Sequence, residues 1–275
     1  MDLTVFKAAQ RAQEAVKFPA EPESELNAHL DMLLSISREL GYQGGDRVLD
    51  LGCGIGRTLE ALLARGLDAY GVDVGEWWGK DYAEYWQDSP IPKENVRARL
   101  SVTNEQNYKL AYPDNYFDLV ISSQVFEHVF NYEEVFRELA RVLKPHGVSV
   151  HIFPGRGTPL EPHLFIPFIP LAKKTWWLLL WSFVKRRHRP AWLDEYEFLK
   201  VGMSSNNYPS REQLHSFARA AGVHVEFRED LYLRVADGRP SKILKKAERL
   251  HMGWIGLILR RLCQRTMLLR KGASQ

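Results

Sequence analysis

The chain predicts an α/β fold, a mostly parallel sheet with helices on both faces, and three observations carry that prediction. Short apolar runs of strand length alternate with segments of helical period. Residues 47–74, RVLDLGCGIGRTLEALLARGLDAYGVDV, read as strand, glycine turn, helix and second strand. The 275 residues, 45% of them hydrophobic, suffice for one full core with additions.

Residues 1–44 look helical, with a break at 18–22, and are expected to cover one side of a cleft. The apolar run 48–51 is a short buried strand, Gly52, Gly54 and Gly56 form the turn, and 57–65 carries the helical spacing Leu59, Leu62, Leu63 before Gly66 stops the helix. The next strand, 69–74, contains Asp73, 17 positions after Gly56. Residues 117–122 read as a strand, 132–143 as an amphipathic helix and 148–153 as another strand. Residues 154–209, rich in Pro and Trp, form an insertion. A helix follows over 210–221, with Ser210 as N-cap and Gly222 after it. Residues 223–228 and 231–235 alternate like the two strands of a terminal antiparallel hairpin. The chain from 241 onward reads as a basic helical appendage, and there is no internal repeat. The resulting units are 1–44, 45–153, 154–209, 210–240 and 241–275.

Glycine is needed where backbone turns tightly and approaches a ligand without a Cβ in the way. With Asp73 able to present a carboxylate to a ribose diol at the strand's C-terminal edge, the 47–74 unit is built to hold a nucleoside. Its glycines run Gly52-x-Gly54-x-Gly56 after Asp50, not the G-x-G-x-x-G of dinucleotide sites. An acid at Asp50 is poorly placed beside a pyrophosphate and suited to a cationic amino acid end.

That D-x-G-x-G-x-G pattern resembles motif I of the class I S-adenosylmethionine-dependent methyltransferases. Residues 110–128, LAYPDNYFDLVISSQVFEH, and 135–153, VFRELARVLKPHGVSVHIF, resemble the family's later segments in the family's order. The resemblance covers 45–153 and is to the small-molecule subgroup often called type 11. It implies a Rossmann-like seven-stranded sheet and S-adenosyl-L-methionine as cofactor. It also implies that Asp50, Gly52, Cys53 and Gly54 meet the methionine portion, that Asp73 accepts from both ribose hydroxyls, and that Val74 lies against adenine. Gln106 or Asn107 stands where the family has an acid for the adenine amino group, and Gln124 touches the cofactor through its backbone.

Candidate bases follow two core strands. Glu127 and His128 come after the 117–122 strand, while Glu161 and His163 come after the 148–153 strand and could meet them across the cleft. Either His128 or His163 is a candidate base, with Glu127 as partner, since imidazole titrates near neutral pH. The pair also resembles the E-x-x-E-H metal site of ubiquinone-pathway O-methyltransferases and small-RNA 3′-end methyltransferases. Gln124 replaces that motif's first Glu, which weakens the ligand set unless His163 completes it. A divalent metal, a metal-free base and a helix cap are the three readings of the pair, and no metal ligand is assigned.

Charge divides the chain. Residues 1–150 carry 15 Lys+Arg against 24 Asp+Glu, net −9, and residues 151–275 carry 22 against 10, net +12. Such asymmetry points to an anionic partner, or to complementarity between the halves. Residues 173–187, KKTWWLLLWSFVKRR, are too short to span a bilayer but suit a headgroup interface. Residues 242–271 add nine Lys/Arg with Glu248 as the one acid, a pattern compatible with a membrane surface or with packing on the protein's own core. Cys53 and Cys263 indicate neither a disulfide framework nor a thiolate metal site. The N-terminus lacks a basic region followed by an apolar stretch, so a cytoplasmic location is expected, with peripheral membrane contact.

The reading is a methyltransferase acting on a small-molecule, glycan or lipid-linked hydroxyl, with the insertion as substrate cap. The alternatives are a non-catalytic S-adenosylmethionine-binding module at a membrane and an RNA methyltransferase. No RNA-binding module is appended, so nucleic acid is not the expected partner.

Overall fold

The strands form because apolar, β-branched runs end at glycine or asparagine turns, and their order in the sheet places the cleft. The computed structural model describes residues 23–44, 47–78, 91–161, 163–185, 192–204, 206–236, 239–250 and 253–271. The expected break at 18–22 and the basic flank at 186–187 lie outside these residues.

Strands β1 (Arg47–Leu51), β2 (Asp68–Asp73), β3 (Leu100–Val102), β4 (Phe117–Ser123), β5 (Leu143–Phe153), β8 (Val223–Phe227) and β9 (Arg265–Lys271) build one seven-stranded sheet. Its order is β3-β2-β1-β4-β5-β9-β8. β1 to β5 pair in parallel, while β9 runs antiparallel to both neighbours. The expected mostly parallel seven-stranded sheet is present. β2 and β4 flank β1 on opposite sides, so the chain reverses direction across the sheet at β1, where α/β folds open a crevice at the strands' C-terminal ends.

Helices cover both faces. One apolar cluster joins Leu30, Leu33 and Ile36 of α1 (Glu23–Glu39), Leu59 and Leu62 of α2 (Arg57–Ala64), and inward residues of β1, β4 and β5. After the short α3 (Lys93–Arg97), the other face is closed by α4 (Tyr132–Val142) and, later, by α8 (Arg211–Ala220). α4 places Val135, Phe136, Leu139 and Val142 inward at i, i+1, i+4, i+7, with Asn131 as N-cap accepting from Glu134 N. Ser210 and Gln213 form a reciprocal capping box at the start of α8.

The insertion packs its own small core. A hairpin of β6 (Leu160–Glu161) and β7 (Ile166–Pro167) precedes α5 (Ile169–Ala172), α6 (Thr175–Lys185) and α7 (Trp192–Ser204). Leu164, Ile166, Ile169, Leu178, Leu199, Met203 and Tyr208 interlock there.

The C-terminal end corrects one expectation. Residues 231–235 are not a strand but part of α9 (Glu229–Val235). Glu229 and Asp230 favour a helix N-terminus there, and the edge beside β8 is taken by β9, from within the segment expected to be wholly helical. Leu231 of α9 and Leu268 of β9 belong to the same apolar cluster. Of the basic appendage, α10 (Arg239–Arg249) and α11 (Gly253–Leu262) are helical, and 265–271 belongs to the sheet between β5 and β8.

Candidate active site

The turn after β1 is a backbone cradle. Gly52 N and Cys53 N donate to Val72 O at 2.8 and 3.1 Å, which ties the turn to β2, and Gly54 N donates to Asp73 Oδ2 at 2.8 Å. Gly52 has φ +74°, and a Cβ there would lie 2.3 Å from Val125 Cγ2, so no larger residue fits. Gly54 has φ +52°, and its missing Cβ would point into open space.

Beside this turn lies a cavity of about 230 Å³ lined by Gly52, Asp73, Val74, Trp77, Gln124 and His128, with Leu51, Val72, Thr103, Glu105, Tyr108, Val125, Val129 and Val135 completing the wall. Asp73 is fixed on three sides: Oδ1 accepts from Val74 N and Trp77 Nε1, both at 2.7 Å, and Oδ2 from Gly54 N. Each carboxylate oxygen has further lone pairs, so acceptor capacity for a diol persists. Burial raises the Asp73 carboxyl despite these donors.

Asp50 sits behind the turn, 5% exposed, and its Oδ2 has no hydrogen-bond partner among the described residues. Burial, and secondarily the charge of Asp73, push its carboxyl up to about 7. A buried acid with an orphaned oxygen fits a cationic ligand group, and with the open cradle at Gly54 it fits the amino acid end of S-adenosylmethionine. Cys53 is different: its side chain belongs to the core beside Gly71, and burial raises its thiol, so only its backbone faces the turn.

The two residues expected beside adenine do not line the cavity. Gln106 and Asn107 are exposed and outside the cavity wall, because Asn104 Oδ1 accepts from both of their backbone N–H groups and turns them outward. Glu105, with Thr103 and Tyr108, faces inward in their place. The loop is anchored by Leu110 N donating to Glu138 Oε2 at 2.9 Å and by Arg141 gripping Leu110 O and Tyr112 O. Tyr108 and Gln124 both hold φ values near +50° (+45° and +57°), an uncommon backbone state for residues with side chains, and both line the cavity. Gln124 N donates to Ile152 O, and its amide nitrogen to Gln264 Oε1.

The second half of the site is an acid–imidazole cluster at the cavity's rim. A 3-10 turn, Phe126–His128, carries Glu127 and His128 off the end of β4, and the β6–β7 hairpin brings Glu161 and His163. The sequence-predicted residues do meet: His128 Nε2 lies 3.2 Å from His163 Nε2, and each lies 3.8 Å from Glu127 Oε1. Glu127 is fully buried, and neither of its carboxylate oxygens has a hydrogen-bond partner among the described residues. Its carboxyl is pushed up to about 8, by burial first, against the pull of His163.

Glu161 supports His163 from behind. It accepts from His163 Nδ1 at 2.8 Å, Tyr208 Oη at 2.5 Å, Asn206 Nδ2 at 3.1 Å and Leu164 N at 2.5 Å. Burial alone would raise Glu161, but these donors and the His163 charge hold it below the usual range, and Glu161 in turn raises His163 against the effect of burial. Asn207 closes the arrangement, its N donating to Glu127 O at 2.6 Å and its amide to Val129 O at 2.5 Å. The supporting residues Asn206, Asn207 and Tyr208, 43 or more positions from His163 in sequence, carry no local pattern that marks them.

Comparison with known proteins agrees with this geometry. A family model described as "Methyltransferase domain" matches residues 49–151. A demethylmenaquinone methyltransferase of Geobacillus stearothermophilus is 29% identical over 210 residues, covering 73% of this chain and 80% of that protein. A sterol 24-C-methyltransferase of Gibberella zeae is 29% identical over 114 residues, 41% of this chain and 29% of that one. The crystal structure of an S-adenosylmethionine dependent methyltransferase from Mesorhizobium loti shares the fold, with a TM-score of 0.50 at 16% identity over 88% of this chain and 100% of that one. With the cradle, the buried acid at the end of β2 and the strand order already in place, residues 49–151 form a methyltransferase domain of the class I S-adenosylmethionine-dependent type.

Proposed function

We propose that this methyltransferase acts on the hydroxyl of a small-molecule, glycan or lipid-linked acceptor, with Glu127, His128 and His163 preparing the acceptor oxygen. The observation that carries this reading is the cluster's position, because His128 belongs both to the cavity wall and to the acid–imidazole group. S-adenosylmethionine supplies an activated methyl and a neutral leaving group, so the protein's tasks are alignment and management of the acceptor's proton. Asp50 and the Gly52–Gly54 backbone hold the cationic end of the cofactor, Asp73 its ribose, and Val74, Glu105 and Trp77 the adenine side. A hydroxyl oxygen is weakly nucleophilic while protonated, and the cluster, reaching the cavity wall through His128, supplies titratable side chains suited to weakening the O–H bond.

The cap supports an acceptor presented at an anionic membrane surface. α6 turns Leu178 and Ser182 toward the insertion's core and leaves Trp176, Leu179, Leu180, Phe183 and Val184 outward, an apolar stripe at i, i+3, i+4, i+7, i+8. Trp176 is 57% and Phe183 55% exposed, and Lys173, Lys174 and Lys185 flank them. No helix among the described residues is long and apolar enough to cross a membrane. The sterol relative favours a second reading, methyl transfer to carbon of an apolar acceptor. Incubation with methyl-labelled S-adenosylmethionine and a panel of phenolic and polyprenyl-linked acceptors, with fragmentation of the products, separates the two. The expected result is label on oxygen and a turnover reduced about 10²- to 10⁴-fold in His128→Ala. Label on carbon, or an unimpaired variant, overturns the hydroxyl reading.

A further inference from the structure

We propose that Glu127, His128 and His163 bind one divalent transition-metal ion of the zinc type. The inference rests on the reading that this cluster prepares the acceptor, and it names the group that does so.

The three facing atoms form a triangle with one side of 3.2 Å, between the two Nε2 atoms, and two of 3.8 Å, from each Nε2 to Glu127 Oε1. The point equidistant from its corners lies about 2.1 Å from each, which is the bond length of zinc to imidazole nitrogen and carboxylate oxygen. These are the three described residues whose ligand atoms converge in this way. Cations that prefer all-oxygen shells, such as Mg²⁺, match the two imidazoles less well.

Two further features point to a ligand and not to a satisfied packing contact. First, Glu127 is a fully buried acid whose oxygens lack hydrogen-bond partners among the described residues, beside two imidazoles that stand at contact distance through the same ring position. Buried carboxylates without donors are costly unless a charge balances them. Second, His163 has the outer-shell partner that metal-bound histidines have. Glu161, held by Tyr208, Asn206 and Leu164 N, accepts from Nδ1–H and so leaves the Nε2 lone pair directed at Glu127 and His128. Three protein ligands leave a fourth position open at the rim, where the acceptor oxygen would bind and be acidified, with both imidazoles serving as ligands.

The test uses the full chain, stripped of metal by chelator and dialysed. Zn²⁺ is titrated by calorimetry and Co²⁺ by its visible absorption, and S-adenosylhomocysteine binding is measured in parallel. One ion per chain is expected, with a four-coordinate Co²⁺ spectrum. Binding should weaken at least 100-fold in His163→Ala and in Glu127→Gln, and about 10- to 100-fold in Glu161→Gln, while S-adenosylhomocysteine affinity stays within twofold. Retained nucleotide binding shows that each variant is folded. If His163→Ala loses it, Glu161→Gln, which leaves all three ligands in place, decides. Nucleotide binding without stoichiometric metal, or metal held equally by His163→Ala, overturns the inference and leaves the methyltransferase reading standing. Metal binding without nucleotide binding would instead count against the cofactor reading.

Discussion

Replacing Asp50 by Asn should stabilise the protein without cofactor and cripple cofactor binding, and the size of both effects follows from burial. The Asp50 carboxyl lies at about 7 in the fold against 3.8 as a free side chain, chiefly because it is buried. A raised acid costs nothing below the unfolded value, where both states are protonated. Its cost grows as pH rises from there and levels off above the folded value. That difference corresponds to about 4 kcal/mol at the plateau. Between pH 5 and pH 8 the stability of Asp50→Asn relative to the parent should therefore rise by about 2–3 kcal/mol. Taking the difference between two pH values cancels the constant cost of burying an amide. Urea unfolding of both proteins at the two pH values measures it. Cofactor binding changes in the opposite sense. If the ionised Asp50 receives the cofactor's ammonium group, affinity of the parent protein should fall about tenfold from pH 8 to pH 6, as the ionised fraction falls. In Asp50→Asn that pH dependence should vanish, together with at least tenfold of the affinity. A stability gap that does not move with pH, or an affinity untouched by the substitution, refutes the assignment.

Other substitutions probe the rest of the site. Gly54→Val should abolish S-adenosylmethionine binding, because its side chain would project into the open cradle, and should cost about 1–2 kcal/mol from the left-handed backbone, as read by calorimetry and thermal unfolding. Glu105→Ala should weaken cofactor binding about tenfold, the loss of one buried hydrogen-bonding group, while Gln106→Ala and Asn107→Ala should change it less than twofold. Trp176→Glu with Phe183→Glu should reduce sedimentation with vesicles rich in anionic lipid at least tenfold and leave S-adenosylhomocysteine affinity unchanged.

Local rules reached part of this molecule and tertiary contacts decided the rest. The β1–turn–α2–β2 unit was legible because its glycines, its apolar spacing and Asp73 all act within 27 residues of Arg47. The Ser210 cap was legible for the same reason: its partner Gln213 is three positions away. Which side chains of 104–108 line the cavity was not legible, since the Asn104 turn leaves Glu105 and Tyr108 inward and Gln106 and Asn107 exposed. The last strand was hidden because a seven-residue strand flanked by basic residues, Arg265–Lys271, has the composition of the helices before it, and its pairing with β5 and β8 spans long stretches of chain. At the rim, the histidines and Glu127 were visible as residue types. The Glu161 network that orients His163 depends on Asn206 and Tyr208, which only folding of the insertion brings near.

The central claim is that this cleft holds S-adenosylmethionine through Asp50, the Gly52–Gly54 backbone and Asp73. The most direct measurement is a calorimetric titration of the purified chain at pH 8 with S-adenosylmethionine, S-adenosylhomocysteine and NAD. One site per chain for the first two, with Kd on the order of micromolar, and none for NAD is the predicted result. Binding of NAD alone, or S-adenosylmethionine binding that survives Asp73→Ala at full strength, would contradict it.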